Sequence, residues 1–171
     1  SRSKEDEAFL ESARIATFEL QQGRAGYKAL WQHMLDVSIA ETKIDFELLG
    51  AYFTEWKGEA DTNDHIPAML QRISRENLSE VSDGAVVVRV AEDADKKEMP
   101  PLILQKSDGA VMYGTTDLAT IEQREMAHNP DRILYVVDAR QSLHFEQVFR
   151  AARKVKSVRP AVHLEHVGFG T

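Results

Sequence analysis

The hydrophobic periodicity of this 171-residue chain changes character near residue 80, and no other feature constrains its fold as tightly. Upstream of that point apolar residues recur at helical spacing. Phe9, Leu10, Ala13, Ala16 and Leu20 form one stripe, Tyr27, Leu30, Trp31, Met34 and Leu35 a second, and Gly23 and Gly26 punctuate between them. This pattern predicts a helical hairpin. A third, short helix is predicted over residues 43–52, and a fourth after Asp64, where Pro67 suits a first turn and Met69, Leu70 and Ile73 line one side. The polar stretch 55–63 reads as a loop.

From Val81 the signal becomes β. The run Ala85-Val86-Val87-Val88-Arg89-Val90 is β-branched, residues 92–97 make a charged turn, and Leu102-Ile103-Leu104 and Val111-Met112-Tyr113 flank the hairpin signal Ser107-Asp108-Gly109. A meander of strands is expected. Beyond it, residues 116–128 read as a helix stopped by Asn129-Pro130, and 132–137 as a buried strand. Residues 142–156 read as a helix with Phe145, Val148, Phe149, Ala152 and Val155 inward, and 161–166 as a further strand. Strands alternating with helices of this length imply crossover connections and a parallel sheet, so the expected class is α/β. The organisation expected is a mainly helical segment over 1–80, followed by a β meander and a βαβαβ unit over 81–171.

Composition narrows the function classes. The chain has no cysteine, which excludes disulfide scaffolds, thiolate metal sites and a Cys nucleophile. No apolar run approaches the ~18 residues of a membrane span, and the N-terminus Ser1-Arg2-Ser3-Lys4-Glu5-Asp6-Glu7 is unlike a signal peptide, so a cytoplasmic protein without membrane partners is expected. A net charge of −7 argues against a generally basic nucleic-acid-binding surface, and no DNA partner is expected. The charge is uneven, however: residues 139–171 carry six basic residues (Arg140, Arg150, Arg153, Lys154, Lys156, Arg159) against Glu146 and Glu165, which suits either a bound polyanion or a solvated helix face.

In open parallel α/β sheets ligands lie outside the carboxyl ends of the strands, so the residues after each predicted strand are the ones to inspect. Three segments qualify: Tyr113-Gly114-Thr115-Thr116-Asp117, Asp138-Ala139-Arg140-Gln141 and His166-Val167-Gly168-Phe169-Gly170. Tyr113 is expected to end a strand, with Asp117 in the first turn of the next helix. A carboxylate beside an aromatic ring suits a guanidinium, which is planar, always charged and stacks on aromatic faces. Asp117 complementing the helix dipole while Tyr113 packs, and Gln141 as a plain polar loop residue, satisfy the same spacing. His163 and His166 are three apart on a strand and point to opposite faces, and no HExxH pattern occurs, so no metal site is expected. Neither a phosphate-loop consensus nor a Ser-His-Asp order is present, and no catalytic nucleophile is assigned.

The segments taken together resemble a known family. Leu104-Gln105-Lys106-Ser107-Asp108-Gly109, Tyr113-Gly114-Thr115-Thr116-Asp117-Leu118-Ala119, Tyr135-Val136-Val137-Asp138-Ala139-Arg140-Gln141-Ser142-Leu143-His144 and His166-Val167-Gly168-Phe169-Gly170 resemble, in order and spacing, the later part of the catalytic domain of arginyl-tRNA synthetases, class I aminoacyl-tRNA synthetases. Trp56-Lys57-Gly58-Glu59 and Ser82-Asp83-Gly84-Ala85 resemble that family as well. The resemblance implies part of a Rossmann-like nucleotide-binding domain and an arginine–tRNA ligase using arginine, ATP with Mg2+, and tRNA(Arg). It implies that Tyr113, Asp117 and Gln141 contact arginine. It also implies that His166, Val167, Gly168 and Phe169 lie at the adenine of ATP, largely through backbone, with His144 a polar contact nearby. Gly114 stands where the family frequently has a larger residue, which suggests a loosened pocket wall. The family's His-x-Gly-His does not occur in the sequence, and neither does the KMSKS-type loop that follows the HVxFG segment. The expectation is therefore an excised piece that carries the arginine side of the site and is inactive alone. The competing expectation is a stand-alone module that binds arginine or a guanidinium without chemistry.

Overall fold

A computed structural model describes residues 6–170, which divide into two compact units between Trp56 and Lys57. The division falls upstream of the periodicity change at residue 80, because the helix following Asp64 packs with the β-containing half rather than with the hairpin.

The first unit is two helices. Helix α1 (Glu7–Gln21) starts at Asp6, whose carboxylate accepts the Phe9 backbone N–H at 3.0 Å. Gly23, at φ +81°, makes the turn into α2 (Ala25–Leu48). The separate helix expected over 43–52 is instead the last part of α2: nothing after Leu35 breaks the helix until Gly50, at φ +69°. Residues after α2 fold back so that Phe46, Phe53 and Trp56 meet edge to face, with centroids 4.6 to 5.9 Å apart. The Lys43 ammonium lies over the Trp56 ring at 5.3 Å.

The second unit begins with a short 3-10 turn (Glu59–Thr62) inside the stretch expected as loop, then α3 (Ile66–Arg75) with Pro67 in its first turn. Three antiparallel strands follow in the order β1 (Glu80–Ser82), β2 (Ala85–Val88), β3 (Leu102–Gln105). The β1–β2 turn is Asp83-Gly84, both at positive φ (48° and 77°), which is the backbone a two-residue hairpin requires. The strand expected at 111–113 shrinks to a single bridge between Val111 and Gln105. Helix α4 (Tyr113–His128) starts at once, ending at Asn129 in the left-handed conformation (φ 46°). Next come β4 (Arg132–Asp138), a 3-10 turn (Ala139–Gln141), α5 (Ser142–Lys154) and β5 (His163–Phe169).

Strands β4 and β5 pair in parallel along their whole length, Arg132 opposite His163 through Asp138 opposite Phe169. The expected parallel crossover is therefore present as β4-α5-β5. Among the described residues the third parallel strand of a βαβαβ unit is not, because β3 belongs to the antiparallel sheet. Met69 and Ile73 of α3, Leu104 of β3, Leu118 and Ile121 of α4, and Val148 and Ala152 of α5 fill one core with Ile133 and Leu164 of the parallel strands. Gly114 faces this core rather than a pocket. A Cβ there would come within 2.6 Å of Leu102 Cδ1, so the small residue admits the close approach of α4 to β3 and loosens no pocket wall.

The charged turn at 92–97 is held to α5 by Arg150, which donates to both carboxylate oxygens of Asp95 (2.7 Å each) and to the Val90 carbonyl (3.1 Å). Arg150 beside it, and the Glu92 backbone N–H, hold the Asp95 carboxyl down to about 2. A depressed folded-state value means that the contribution is fully present above the unfolded carboxylate range and is lost as pH falls toward 2. Asp95→Asn should accordingly flatten the loss of thermal stability between about pH 4 and pH 2. Melting curves of both proteins over that range check it: parallel declines would show that the clamp adds nothing.

Candidate amino-acid binding cleft

Helix α4 starts where it does because Thr115 is fixed from below, its fully buried hydroxyl donating to the Leu104 carbonyl of β3 at 2.5 Å. This places Tyr113 in the first position of the helix, not at a strand end, and Asp117 one turn later. The four-residue spacing keeps both on one face of α4. No acidic residue lies in the first turn of α4 and no side chain caps it, so Asp117 is not a helix-capping residue. Instead its Oδ2 accepts from His144 Nε2 of α5 at 2.6 Å, a pair a little over a quarter exposed.

These side chains border a cleft of about 480 Å³. The 3-10 turn before α3 contributes Glu59, α4 contributes Tyr113 and Asp117, β4 contributes Tyr135 and Val137, and the start of α5 contributes Gln141, His144 and Phe145. Each part is braced. At the first turn the Gly58 N–H donates to Asp61 Oδ2 (2.7 Å) and the Thr62 hydroxyl to the Glu59 carbonyl (2.8 Å). At the β4–α5 junction Asp138 accepts the Arg140 backbone N–H (2.8 Å) and its guanidinium (2.7 and 2.9 Å), which holds the Asp138 carboxyl below its ordinary range. Gly168 of β5 lies against this junction; a Cβ there would be 3.2 Å from Ala139 Cα. Gln141 is thus presented by a turn with little freedom.

Tyr135 forms the aromatic floor with Phe145, ring centroids 4.8 Å apart, and burial pushes its hydroxyl up to about 12, with Arg124 pulling the other way. His166 stacks on the far side of this group, 5.0 Å from Phe145, and its Nε2 donates to the Val137 carbonyl at 3.1 Å.

The structure brings together Tyr113, Asp117, Gln141 and His144. His144, expected near a nucleotide, is committed to Asp117. His166, Val167, Gly168 and Phe169 do not line this cleft. They lie within β5 rather than after it, and strand alternation sends Val167 and Phe169, both well exposed, to the side opposite His166 and Gly168. Glu59, Tyr135, Val137 and Phe145 are cleft residues that sequence reasoning did not assign. Glu59 ends the family-like run Trp56-Lys57-Gly58-Glu59, but only its place on the same cleft as Asp117, far along the chain, marks it. Two carboxylates, three aromatic rings and one amide around a half-open space form a surroundings suited to a planar, delocalised cation.

The whole chain, residues 1–171, matches the family described as tRNA synthetases class I (R), catalytic domain. It is 50% identical over 170 residues to an arginine–tRNA ligase of Agathobacter rectalis, covering 99% of this chain and 28% of that protein. It is 53% identical over 162 residues to one of Maricaulis maris, covering 95% of this chain and 27% of that one. Among solved structures, the arginyl-tRNA synthetase of Plasmodium falciparum superposes with a TM-score of 0.80 at 27% identity, over 95% of this chain and 28% of that one. A Campylobacter jejuni structure described as a putative arginyl-tRNA synthetase shares the fold at 14% identity, with a TM-score of 0.65 over 78% of this chain and 28% of that one. The chain therefore spans about 28% of the length of the relatives it matches, and with its family match running from end to end it belongs to the class I arginyl-tRNA synthetase family, as part of the catalytic domain.

Proposed function

We propose that this chain is the arginine-binding part of an arginine–tRNA ligase. In that reading the Asp117 carboxylate takes the guanidinium, Tyr113 and the Tyr135–Phe145 floor flank its plane, Glu59 supplies a second negative charge, and Gln141 meets the polar end of the amino acid. The observation that carries the assignment is the convergence of Glu59 and Asp117 with aromatic rings on one cleft. ATP, bound with Mg2+, would meet the backbone of residues 166–169 at the end of β5. The reaction of the complete ligase is attack of the arginine carboxylate on the α-phosphate of ATP, releasing pyrophosphate. The arginyl group then passes to the terminal adenosine of tRNA(Arg). No covalent enzyme intermediate is required; the protein acts by positioning and by stabilising phosphoryl charge. A cytoplasmic site of action accompanies this reading, and no helix among the described residues is long and apolar enough to cross a membrane.

The test is arginine-dependent ATP–pyrophosphate exchange with tRNA supplied. The complete ligase should be active, and the 171 residues alone, which contain no His-x-Gly-His, should not. In the complete enzyme Gln141→Ala should raise the KM for arginine roughly 2- to 12-fold, as for loss of one neutral hydrogen bond, and leave the KM for ATP unchanged. Gln141 is exposed, so its melting temperature should hold. Exchange by the isolated chain, or a Gln141→Ala effect on ATP alone, would contradict the assignment.

A further inference from the structure

Two buried side-chain polar atoms among the described residues have no hydrogen-bond partner: Oε2 of Glu125 and the hydroxyl of Tyr135. The first belongs to a carboxylate whose other oxygen already binds Arg159. The second has no such compensation. Tyr135 is only 8% exposed and sits on the inward face of β4 while lining the cleft. The Arg124 guanidinium lies over the face of the ring, 5.0 Å from its centroid. That contact is with the π-system; the Arg124 charge acts on the hydroxyl, but none of its N–H groups meets the hydroxyl in hydrogen-bond geometry.

Leaving a buried hydroxyl without a partner is unfavourable, and a fold that retains one at a binding cleft calls for an explanation in the ligand. The hydroxyl is within electrostatic reach of Asp117, whose negative charge acts on it. A guanidinium presents five N–H donors in a rigid fork, and one carboxylate satisfies at most two of them in bidentate fashion. The remaining donors need acceptors, and the phenolic oxygen has lone pairs to offer. We propose that the Tyr135 hydroxyl is a specificity-determining contact of this cleft, accepting an N–H from the guanidinium that Asp117 binds and so disfavouring amino acids that lack a donor at that point. The proposal rests on the arginine reading of the cleft given above.

The experiment uses the complete ligase, with tRNA supplied, as wild type, Tyr135→Phe and Asp117→Asn. It measures the KM for arginine and for ATP, the melting temperature, and inhibition by agmatine, which carries the guanidinium end of arginine without its carboxylate. Tyr135→Phe should raise the arginine KM and the agmatine inhibition constant together by about tenfold, or ~1.4 kcal/mol. The KM for ATP should be unchanged. The melting temperature should be equal or higher, because the variant deletes an unsatisfied polar group. A lowered melting temperature would reveal a structural partner and overturn the proposal. An unchanged arginine KM would overturn it too, as would a raised KM with unchanged agmatine inhibition, which places the hydroxyl at another part of the substrates. The two readings separate cleanly. A silent Tyr135→Phe beside a damaged Asp117→Asn removes only the hydroxyl contact, whereas an arginine KM unmoved by Asp117→Asn removes both.

Discussion

Asp117→Asn in the complete ligase is expected to raise the KM for arginine roughly 10- to 150-fold, the equivalent of one charge-assisted hydrogen bond at ~1.5–3 kcal/mol. Asparagine keeps the shape of the side chain and, through its amide oxygen, an acceptor for His144 Nε2, which now lies 2.6 Å from Asp117 Oδ2. What the substitution removes is the negative charge, and therefore the term that distinguishes a cation from a neutral amide in this cleft. The pair with His144 is partly solvated, with side chains 26% and 29% exposed, so its loss should cost the fold at most ~1 kcal/mol. Binding should fall while folding holds. Tyr113→Phe should be milder than Tyr113→Ala, because Tyr113 is exposed and its ring, not its hydroxyl alone, borders the cleft. Arginine KM and melting temperature measured on the same Asp117→Asn preparation decide the matter: a lowered melting temperature with unchanged KM would make Asp117 a structural residue.

Much of this cleft was legible because its key spacing survives a change of secondary structure. Tyr113 and Asp117 were expected to straddle a strand end and a helix start, yet both lie on α4 and still share a face, since four residues is one helical turn. Asp83-Gly84 was visible only as part of a family-like run, although its turn chemistry is that of a two-residue hairpin. The strand at 111–113 failed because its β-like residues are overruled by Thr115, which ties the chain to Leu104 two residues later and starts a helix. The lost boundary within α2 has a local cause: Ile44, Phe46 and Leu48 continue the helix, and the first residue to require positive φ is Gly50. What spacing could not reveal is pairing between distant elements. His144 and Asp117 are 27 residues apart, and Glu59 is farther from Asp117 still. Nothing in the local pattern of either links them, and only packing of α4 against α5 and the preceding 3-10 turn does.

Glu122 illustrates the same limit and should give the largest stability effect in the chain. In sequence it is one charge in the run Ile121-Glu122-Gln123-Arg124-Glu125 of the predicted helix, with no local mark of burial. In the fold it is buried, and its carboxylate joins three elements. Oε2 accepts from Arg72 Nη2 of α3 at 2.5 Å and from the Ser157 hydroxyl, while Oε1 faces His65 Nε2 at 3.1 Å. Arg72 in turn donates through Nη1 to the Val155 carbonyl at the end of α5 (2.8 Å). The network therefore pins α3, α4 and the α5 terminus together around the core that underlies the cleft. Removing one partner of a buried pair leaves the other charge desolvated and uncompensated, which costs ~3–5 kcal/mol, more than the pair itself contributes against an apolar replacement. Glu122→Ala should therefore destabilise the second unit by ~3–5 kcal/mol. Glu122→Gln, which retains an acceptor for Arg72 and the steric fill, should cost less. The double variant Arg72→Met with Glu122→Leu should recover much of the loss, since it removes both charges and restores apolar volume. Urea unfolding of the three variants, followed by circular dichroism, measures this ordering. If Glu122→Ala unfolds at the wild-type midpoint, the network is a surface ion pair in effect, and the coupling of α3 to α5 must come from Met69 and Ile73 packing alone.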